Sequence, residues 1–456
     1  MAREVAEAEA RRFGRAAGLL SIGIGSAGLL TYVYFSLASH NLDPVDYGEV
    51  VVLWSAVFVT ISTLFRPVEQ LLSRTIAERQ AGGQAIGQPL RVAARIQLGL
   101  AAAFGLCALV LRDPIQDRLL SGNETLYWIF VTATLAFAAS FFARGFLAGS
   151  RRFSLYAVLL LAESTARVSF ALAVAIGIAS GQTAVALGIV AAPLLSLTVV
   201  PLAFARGAAA RGRAAPPQPS SQAEFTLAAG GGFAAAVLLI MVSEQTLLNA
   251  GPLLVKGSEG AAAAGYIFNV LMIARAPLVL FQAVATSLLP HLTRLRASAD
   301  ARHAQAFRLS VRLTIAAIAA FAAVVALVVL IAGPELMQLA FGDNFEYDRV
   351  GLLIVTAGMG AYLAAVTLNQ AALAQGQVRR AAACWVGCAL AFVAWNLLPV
   401  LDEFRRVEVG YAGAAALLCG LLYLLYRLPR ARPEDVVQPG SPQEIEARLA
   451  AADEAG

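Results

Sequence analysis

Apolar residues run along the chain in twelve stretches of roughly 20, separated by short polar connections. A helix rising ~1.5 Å per residue needs about that length to cross ~30 Å of hydrocarbon. The pattern predicts membrane helices at approximately 15 to 39, 48 to 73, 93 to 111, 126 to 148, 154 to 179, 183 to 205, 226 to 248, 262 to 289, 309 to 332, 350 to 374, 381 to 400 and 407 to 427. None of these stretches alternates with period 2, and lipid admits only helices or closed barrels, so the predicted class is an all-α polytopic membrane protein. The first stretch ends in the run His40 to Asp46 without a small-residue cleavage site, and reads as a retained helix rather than a signal peptide.

Composition agrees, with 59% of 456 residues hydrophobic and 14% charged. The placement of charge adds orientation. Of the 34 lysines and arginines, 25 fall in the terminal segments and alternate connections on one side: Arg3 to Arg15, Arg74 to Arg95, Arg144 to Arg152, Arg206 to Arg213, Arg294 to Arg312, Arg379 to Arg380, and Arg427 to Arg448. Arg112, Arg118, Lys256, Arg349, Arg405 and Arg406 fall on the other side, while Arg66, Arg167 and Arg275 lie within spans. The positive-inside rule then puts both termini in the cytoplasm, and the net charge of +5 reflects topology rather than nucleic-acid binding. Cys107, Cys384, Cys388 and Cys419 all lie in predicted spans, and with His40, His291 and His303 dispersed they suggest neither a disulfide framework nor a metal site.

The longest internal polar connection, Arg206 to Glu224, divides the spans six and six. The expected organisation is a six-helix bundle over 1–205, a cytoplasmic linker over 206–225, a second bundle over 226–428, and a disordered cytoplasmic tail over 429–456. The halves echo each other. Leu64 Phe65 Arg66 Pro67 Val68 leads to the basic run Arg74 to Arg79, and Leu280 Phe281 Gln282 Ala283 Val284 leads to Arg294 to Arg296; Gly149 Ser150 Arg151 Arg152 is matched by Gly376 Gln377 Val378 Arg379. Since six spans is an even number, the repeats must be parallel, an arrangement that suits halves rocking about a central cavity.

The first loop, Leu42 Asp43 Pro44 Val45 Asp46 Tyr47 Gly48 Glu49, the stretch Arg144 to Phe153, and the eighth span from Ala264 Gly265 Tyr266 to Leu289 Pro290 give the resemblance its residues. Over about 15 to 427 the chain resembles the polysaccharide-exporter branch of the multidrug/oligosaccharidyl-lipid/polysaccharide (MOP) flippase superfamily. The resemblance implies two six-helix bundles around a V-shaped cavity, in a bacterial cytoplasmic membrane. It implies a flippase carrying an undecaprenyl-pyrophosphate-linked oligosaccharide to the outer leaflet, with the lipid-linked cargo, membrane lipid, and the polymerase and glycosyltransferases of the same pathway as partners, and no cofactor. Peptidoglycan-precursor flippases and drug/cation antiporters are the nearest alternatives. Drug antiporters commonly use embedded acids, and the first span, Arg15 to Ser39, has none.

Ionisable groups inside the membrane are the candidate chemistry, because a charge at the bilayer centre costs ~2.5–3.5 kcal/mol even on lenient scales. Arg167 and Arg275 lie roughly 20 Å from their helix ends at ~1.5 Å per residue. Arg275 has no acid within two turns on its own helix, which points to a cavity or an anionic ligand; Arg167 follows Glu163 by four residues, the favourable order for an internal pair. Arg66, with Pro67 and Glu69 beside it, sits near the cytoplasmic mouth, where its stem can snorkel, and its repeat equivalent is Gln282. Guanidinium forks suit a pyrophosphate. Glu244 and Gln245, read as lying toward the outer end of the seventh helix, and Asn369 and Gln370, late in the tenth, are candidate contacts for sugar hydroxyls.

Other classes fit poorly. Lys256 is the single lysine and no Gly-x-x-x-x-Gly-Lys loop exists, which argues against nucleotide hydrolysis; Gly230 to Gly232 reads as a packing or flexible run. A major-facilitator carrier would show Gly-x-x-x-Asp-Arg-x-Gly-Arg-Arg after the second helix, where this chain has Ala77 to Gly83. A membrane glycosyltransferase or ligase needs larger outer loops than the expected Asn249 to Ala261 and Gly333 to Arg349; the acids Glu335, Asp343, Glu346 and Asp348 read as a solvated loop. The chain is not expected to be an enzyme.

Overall fold

The computed structural model of the chain describes residues 2–199, 201, 227–275 and 301–427. The expected linker at 206–225, the tail at 429–456, and Gln282 with the rest of the second Leu-Phe motif lie outside the described residues. The helices are α1 Ala2–Asn41, α2 Pro44–Leu64, α3 Arg66–Ala81, α4 Gly87–Val110, α5 Glu124–Gly149, α6 Phe153–Ala175, α7 Gly181–Ser196, α8 Leu227–Glu259, α9 Ala261–Arg275, α10 Ala301–Phe341, α11 Arg349–Ala374, α12 Val378–Asn396 and α13 Glu403–Arg427. Among the described residues eleven stretches are long and apolar enough to cross a bilayer, α2 and α3 together making one, and α9 is a shorter apolar helix. This is a multi-pass membrane protein.

Local chemistry starts these helices where the sequence says. Asp43 accepts from the backbone N–H groups of Val45 and Asp46 at 2.9 and 3.0 Å, Asn123 from that of Leu126 at 3.1 Å, and Asp348 from those of Val350 and Gly351 at 3.1 Å. Each side chain satisfies N–H groups that a first helical turn leaves without partners. All three caps lie on the arginine-poor face. The expected second span is loosened at Phe65, whose φ widens to −107° within the helical region, and α3 follows from Arg66 with Pro67, which can neither donate nor accommodate the carbonyl four residues earlier.

Two connections are shorter than expected, and one arginine is deeper. α8 continues to Glu259, so Asn249 is helical rather than the start of an outer loop, and Glu244 and Gln245 fall in mid-helix rather than near its end. α10 kinks at Ala332, two residues before Pro334, and runs on to Phe341 through most of the expected loop. Arg144, assigned to a cytoplasmic connection, lies inside α5 with its side chain only 13% exposed.

Packing repeats between the halves. In the first, α1 packs on α6, α6 on α7, α5 on α7, and α4 on α5; in the second, α8 packs on α12, α12 on α13, α11 on α13, and α10 on α11. Chain order is the same in both sets, which is the pattern of a parallel repeat. The turns after α5 and α11 repeat too, with Arg151 at φ 55° and Gly376 at φ 76° each two residues before the next helix. Gly376 therefore corresponds to Arg151, two residues out of the register that the Gly-x-x-Arg match suggests.

Two glycines set the tightest helix pair in the first half. A Cβ on Gly145 would come within 2.9 Å of the Glu69 carbonyl oxygen, and one on Gly149 within 2.7 Å of that of Ser73. Small residues four apart let two membrane helices approach backbone to backbone. Gly145→Val is therefore expected to lower stability by about 1–3 kcal/mol or more through overpacking, read as a lower midpoint in a detergent melt, whereas Gly105→Ala, on an open face, leaves it unchanged.

Candidate functional site

The two halves meet mainly where α2 packs on α8, with α9 closing the arginine-poor end. A Cβ on Gly48 would lie 1.9 Å from the Ala261 carbonyl oxygen, and one on Gly265 would press on Tyr47, so this seam has backbone-to-backbone contact. Tyr47 donates to Asn269, and the Tyr32 hydroxyl donates to the Met272 carbonyl at 2.5 Å. Phe35 packs on Phe268 at 4.5 Å between ring centroids. Phe345, fully buried although it sits in the connection between α10 and α11, wedges between Tyr47 and Tyr266, 5.0 Å from each ring. One apolar cluster runs through this seam, whereas Val68, Leu72, Ile76, Ala93, Phe146 and Leu159 form a separate core at the arginine-rich end of the first half.

Inside the first half the predicted polar residues are brought together, but not in the predicted pairing. Glu163 forms its ion pair with Arg144, not with Arg167, and accepts from Ser140 Oγ at 2.5 Å and Ser196 Oγ at 3.3 Å. The i, i+4 spacing allowed the Arg167 pair, but three partners on α5 and α7 occupy the carboxylate. Arg167 instead lays its guanidinium over the Trp54 ring at 4.4 Å, with Nη1 only 3.5 Å from Thr31 Oγ1 and Nε buried without a hydrogen-bond partner. Trp54 is itself stacked on Phe58 at 4.0 Å. A cation on an indole face is attracted by the ring quadrupole. Glu69 accepts from Tyr156 at 2.8 Å and lies within electrostatic reach of Arg66 and Arg144.

In the second half, Arg275 Nη1 reaches Asn249 Oδ1 at 3.4 Å, and Asn249 donates to Gln245 at 2.9 Å. Arg275 Nε is buried without a hydrogen-bond partner, and the phenols of Tyr411, Tyr32 and Tyr362 lie within electrostatic reach of the group. Glu244 accepts from Tyr362 at 2.9 Å. Asn369 accepts from Trp385 at 3.1 Å, while Gln370 keeps a buried Oε1 without a partner among the described residues. Arg275, Asn249 and Gln245 thus form one relay, with Glu244 joined to its rim through Tyr362; Asn369 and Gln370 lie apart from it, on α11.

Sequence reading missed Arg144, Trp54, Thr31, Ser140, Ser196 and Asn249. Arg144 carried a signal, a cation four residues after Ser140 and next to Gly145, but adjacency to a loop masked it. Trp54 and Asn249 had none, since an aromatic or an amide in an apolar stretch is ordinarily packing.

No family model matches the chain. An uncharacterized protein of Mycobacterium tuberculosis is 27% identical over 423 residues, covering 88% of each chain. Among solved structures, a multidrug resistance MATE family transporter of the MOP superfamily in its inward-facing conformation aligns with TM-score 0.65 at 13% identity, over 90% of this chain and 97% of its own. The Vibrio cholerae MATE transporter VcmN aligns with TM-score 0.60 at 16% identity, over 91% and 97%. The chain has the MATE-like fold of these MOP-superfamily transporters.

Tyr47→Phe leaves the buried Asn269 without its donor, which costs about 1–3 kcal/mol at the seam. A cysteine placed at Phe345 is expected to react faster with an impermeant maleimide in that background than with Tyr47 intact; equal rates would show that the phenol does not hold the seam.

Proposed function

We propose that the chain is a flippase for an anionic lipid-linked oligosaccharide, an undecaprenyl-pyrophosphate-linked saccharide in the most specific form, working by alternating access. The observation that carries the reading is the pair of deep guanidiniums, Arg167 in one half and Arg275 in the other, neither in hydrogen-bond or ion-pair contact with a carboxylate among the described residues, although Glu163 lies within electrostatic reach of Arg167. A buried cation without a counterion is a standing cost of several kcal/mol, and a phosphate-bearing cargo would relieve it. In this reading the arginine-poor face is the outer one, the termini are cytoplasmic, and the seam at Tyr47, Gly48 and Asn269 is the closed outer gate. Arg66 stands near the inner mouth, while Glu69 and Glu163 serve the internal network rather than the cargo. Gln245 and Asn249 orient Arg275 for the headgroup, Asn369 and Gln370 remain candidate saccharide contacts, and Gln282 remains a candidate substrate contact as the repeat equivalent of Arg66.

The inside-negative potential contributes ~2.3 kcal/mol per charge per 100 mV to outward movement of an anionic head, so no chemical step is needed. The protein acts as a transporter and not as an enzyme, with pathway polymerases and glycosyltransferases as its neighbours.

A drug/cation antiporter is the second reading, favoured by Glu244, a mid-helix carboxylate whose partner among the described residues is the Tyr362 phenol. A peptidoglycan-precursor flippase differs from the first reading only in its cargo.

Depletion in cells separates these. The flippase reading expects a lipid-linked saccharide to accumulate in the inner leaflet, whereas dye retention without such a lipid would favour the antiporter. Arg275→Ala is expected to lower export at least about tenfold with membrane insertion unchanged, since a charge-assisted hydrogen bond is worth about 1.5–3 kcal/mol. Normal export by that variant removes Arg275 from the mechanism.

A further inference from the structure

Glu163 and Arg167 stand four residues apart on α6 in the order that favours an ion pair, and both are 3% exposed. In a dry interior two such groups attract strongly when nothing else holds them. Here each makes its direct contacts elsewhere, although Glu163 stays within electrostatic reach of Arg167. Arg144, from α5, takes one carboxylate oxygen of Glu163, while Ser140 and Ser196 donate to the other. Arg167 is turned onto Trp54, on α2. Of the N–H groups of Arg167, Nη1 reaches Thr31 at the 3.5 Å limit and Nε is buried without a hydrogen-bond partner.

We propose that Arg144 is a positioning residue whose task is to hold Glu163 away from Arg167, so that the in-plane donors of Arg167 stay available to a phosphate-bearing lipid head. The inference rests on the flippase reading for the identity of the anion, but not for the competition between the two arginines. Arg144 does not touch the cargo. It acts by occupying the carboxylate that would otherwise pair with Arg167, and Trp54 acts with it by holding the guanidinium against its ring. The arrangement explains why α5 brings an arginine so close to α3 and α6: Gly145, next in the chain, lets α5 approach the Glu69 backbone, and the side chain of Arg144 then spans to Glu163.

The test uses full-length protein in detergent with farnesyl pyrophosphate as probe and farnesol as the uncharged control. Wild type is expected to bind the pyrophosphate, and Arg167→Gln to lose at least about tenfold in affinity, the equivalent of ~1.4 kcal/mol. Arg144→Gln, which removes a group remote from the probe, is expected to weaken binding comparably because Glu163 is released onto Arg167. The double variant Arg144→Gln with Glu163→Gln is expected to recover wild-type affinity to within about threefold. A purely structural Arg144 predicts no such recovery, and a double variant as weak as the single one, with the same melting midpoint as wild type, overturns the proposal while leaving the cargo reading intact.

Absence of pyrophosphate binding by wild type sinks the cargo reading alone. In that case the competition is read from stability: Arg167→Met should lower the melting midpoint by roughly 2 °C more in the Arg144→Gln background than in wild type, and equal shifts overturn it. Should Arg144→Gln fail to fold, Glu163→Gln is measured instead. It is expected to bind the probe at least as tightly as wild type, and a weaker affinity contradicts the competition.

Discussion

A cation buried among helices must have its charge answered from within the protein, because lipid supplies neither water nor counterion. The deep arginines meet this requirement in three ways. Arg144 has a carboxylate, Arg167 an indole face, and Arg275 an amide with phenols in electrostatic reach. These answers are unequal in strength. A buried ion pair is held by several kcal/mol against removal of one partner, whereas a cation–π contact contributes about 0.5–2 kcal/mol and an amide hydrogen bond on the order of 1.5–3. Arg144 is therefore committed to its place, and the other two are only provisionally satisfied. The weak compensation falls where an anionic cargo would bring charge of its own.

The same grading separates what holds each half together from what joins the halves. The ion pairs of Arg112 with Glu124 and Arg144 with Glu163 are internal to the first half, and those of Arg405 with Asp348 and Glu408, Arg349 with Glu335 and Arg406 with Glu403 are internal to the second. Across the seam the contacts are phenol to amide, phenol to carbonyl, ring to ring, and the Lys256 ammonium on the Ser121 hydroxyl at 2.6 Å. Each such contact is worth about 1 kcal/mol net, so a few can be exchanged without the penalty of stranding a buried charge. Glycine at 48 and 265 makes the fit close while contributing no side chain that would have to be extracted.

Much of the scaffold was legible because lipid imposes one rule on every span, a run of apolar residues of fixed length; the caps Asp43, Asn123 and Asp348 were not legible in the same way, the last reading as part of a solvated loop. Helix ends were less legible. Nothing in the sequence around Asn249 stops a helix, since Gly251 and Pro252 can be absorbed when neighbouring helices satisfy the freed backbone groups, and the same holds for Pro334 beyond the kink at Ala332. In the candidate site, the depth of Arg167 and Arg275 followed from counting residues, but their partners did not. Choosing between Arg167 and Arg144 for Glu163 depends on how near α5 comes to α6, a distance set by glycines that pack against a third helix.

That dependence also connects the pairing to the proposed function. Had α5 stood farther off, Glu163 would have remained beside Arg167 on its own helix, and the first half would have carried a closed, neutral pair with nothing to offer a ligand. As it is, Gly145 and Gly149 seat α5 against α3, Arg144 on the same helix pairs with Glu163, and the charge left without a carboxylate contact is the one on α6 facing α1 and α2. Those two helices carry Tyr32 and Tyr47, whose phenols bond across the seam. Binding at Arg167 would thus displace the Thr31 contact on α1 one residue from a bond that joins the halves, so that a local change of charge and the opening of the seam act on the same helix.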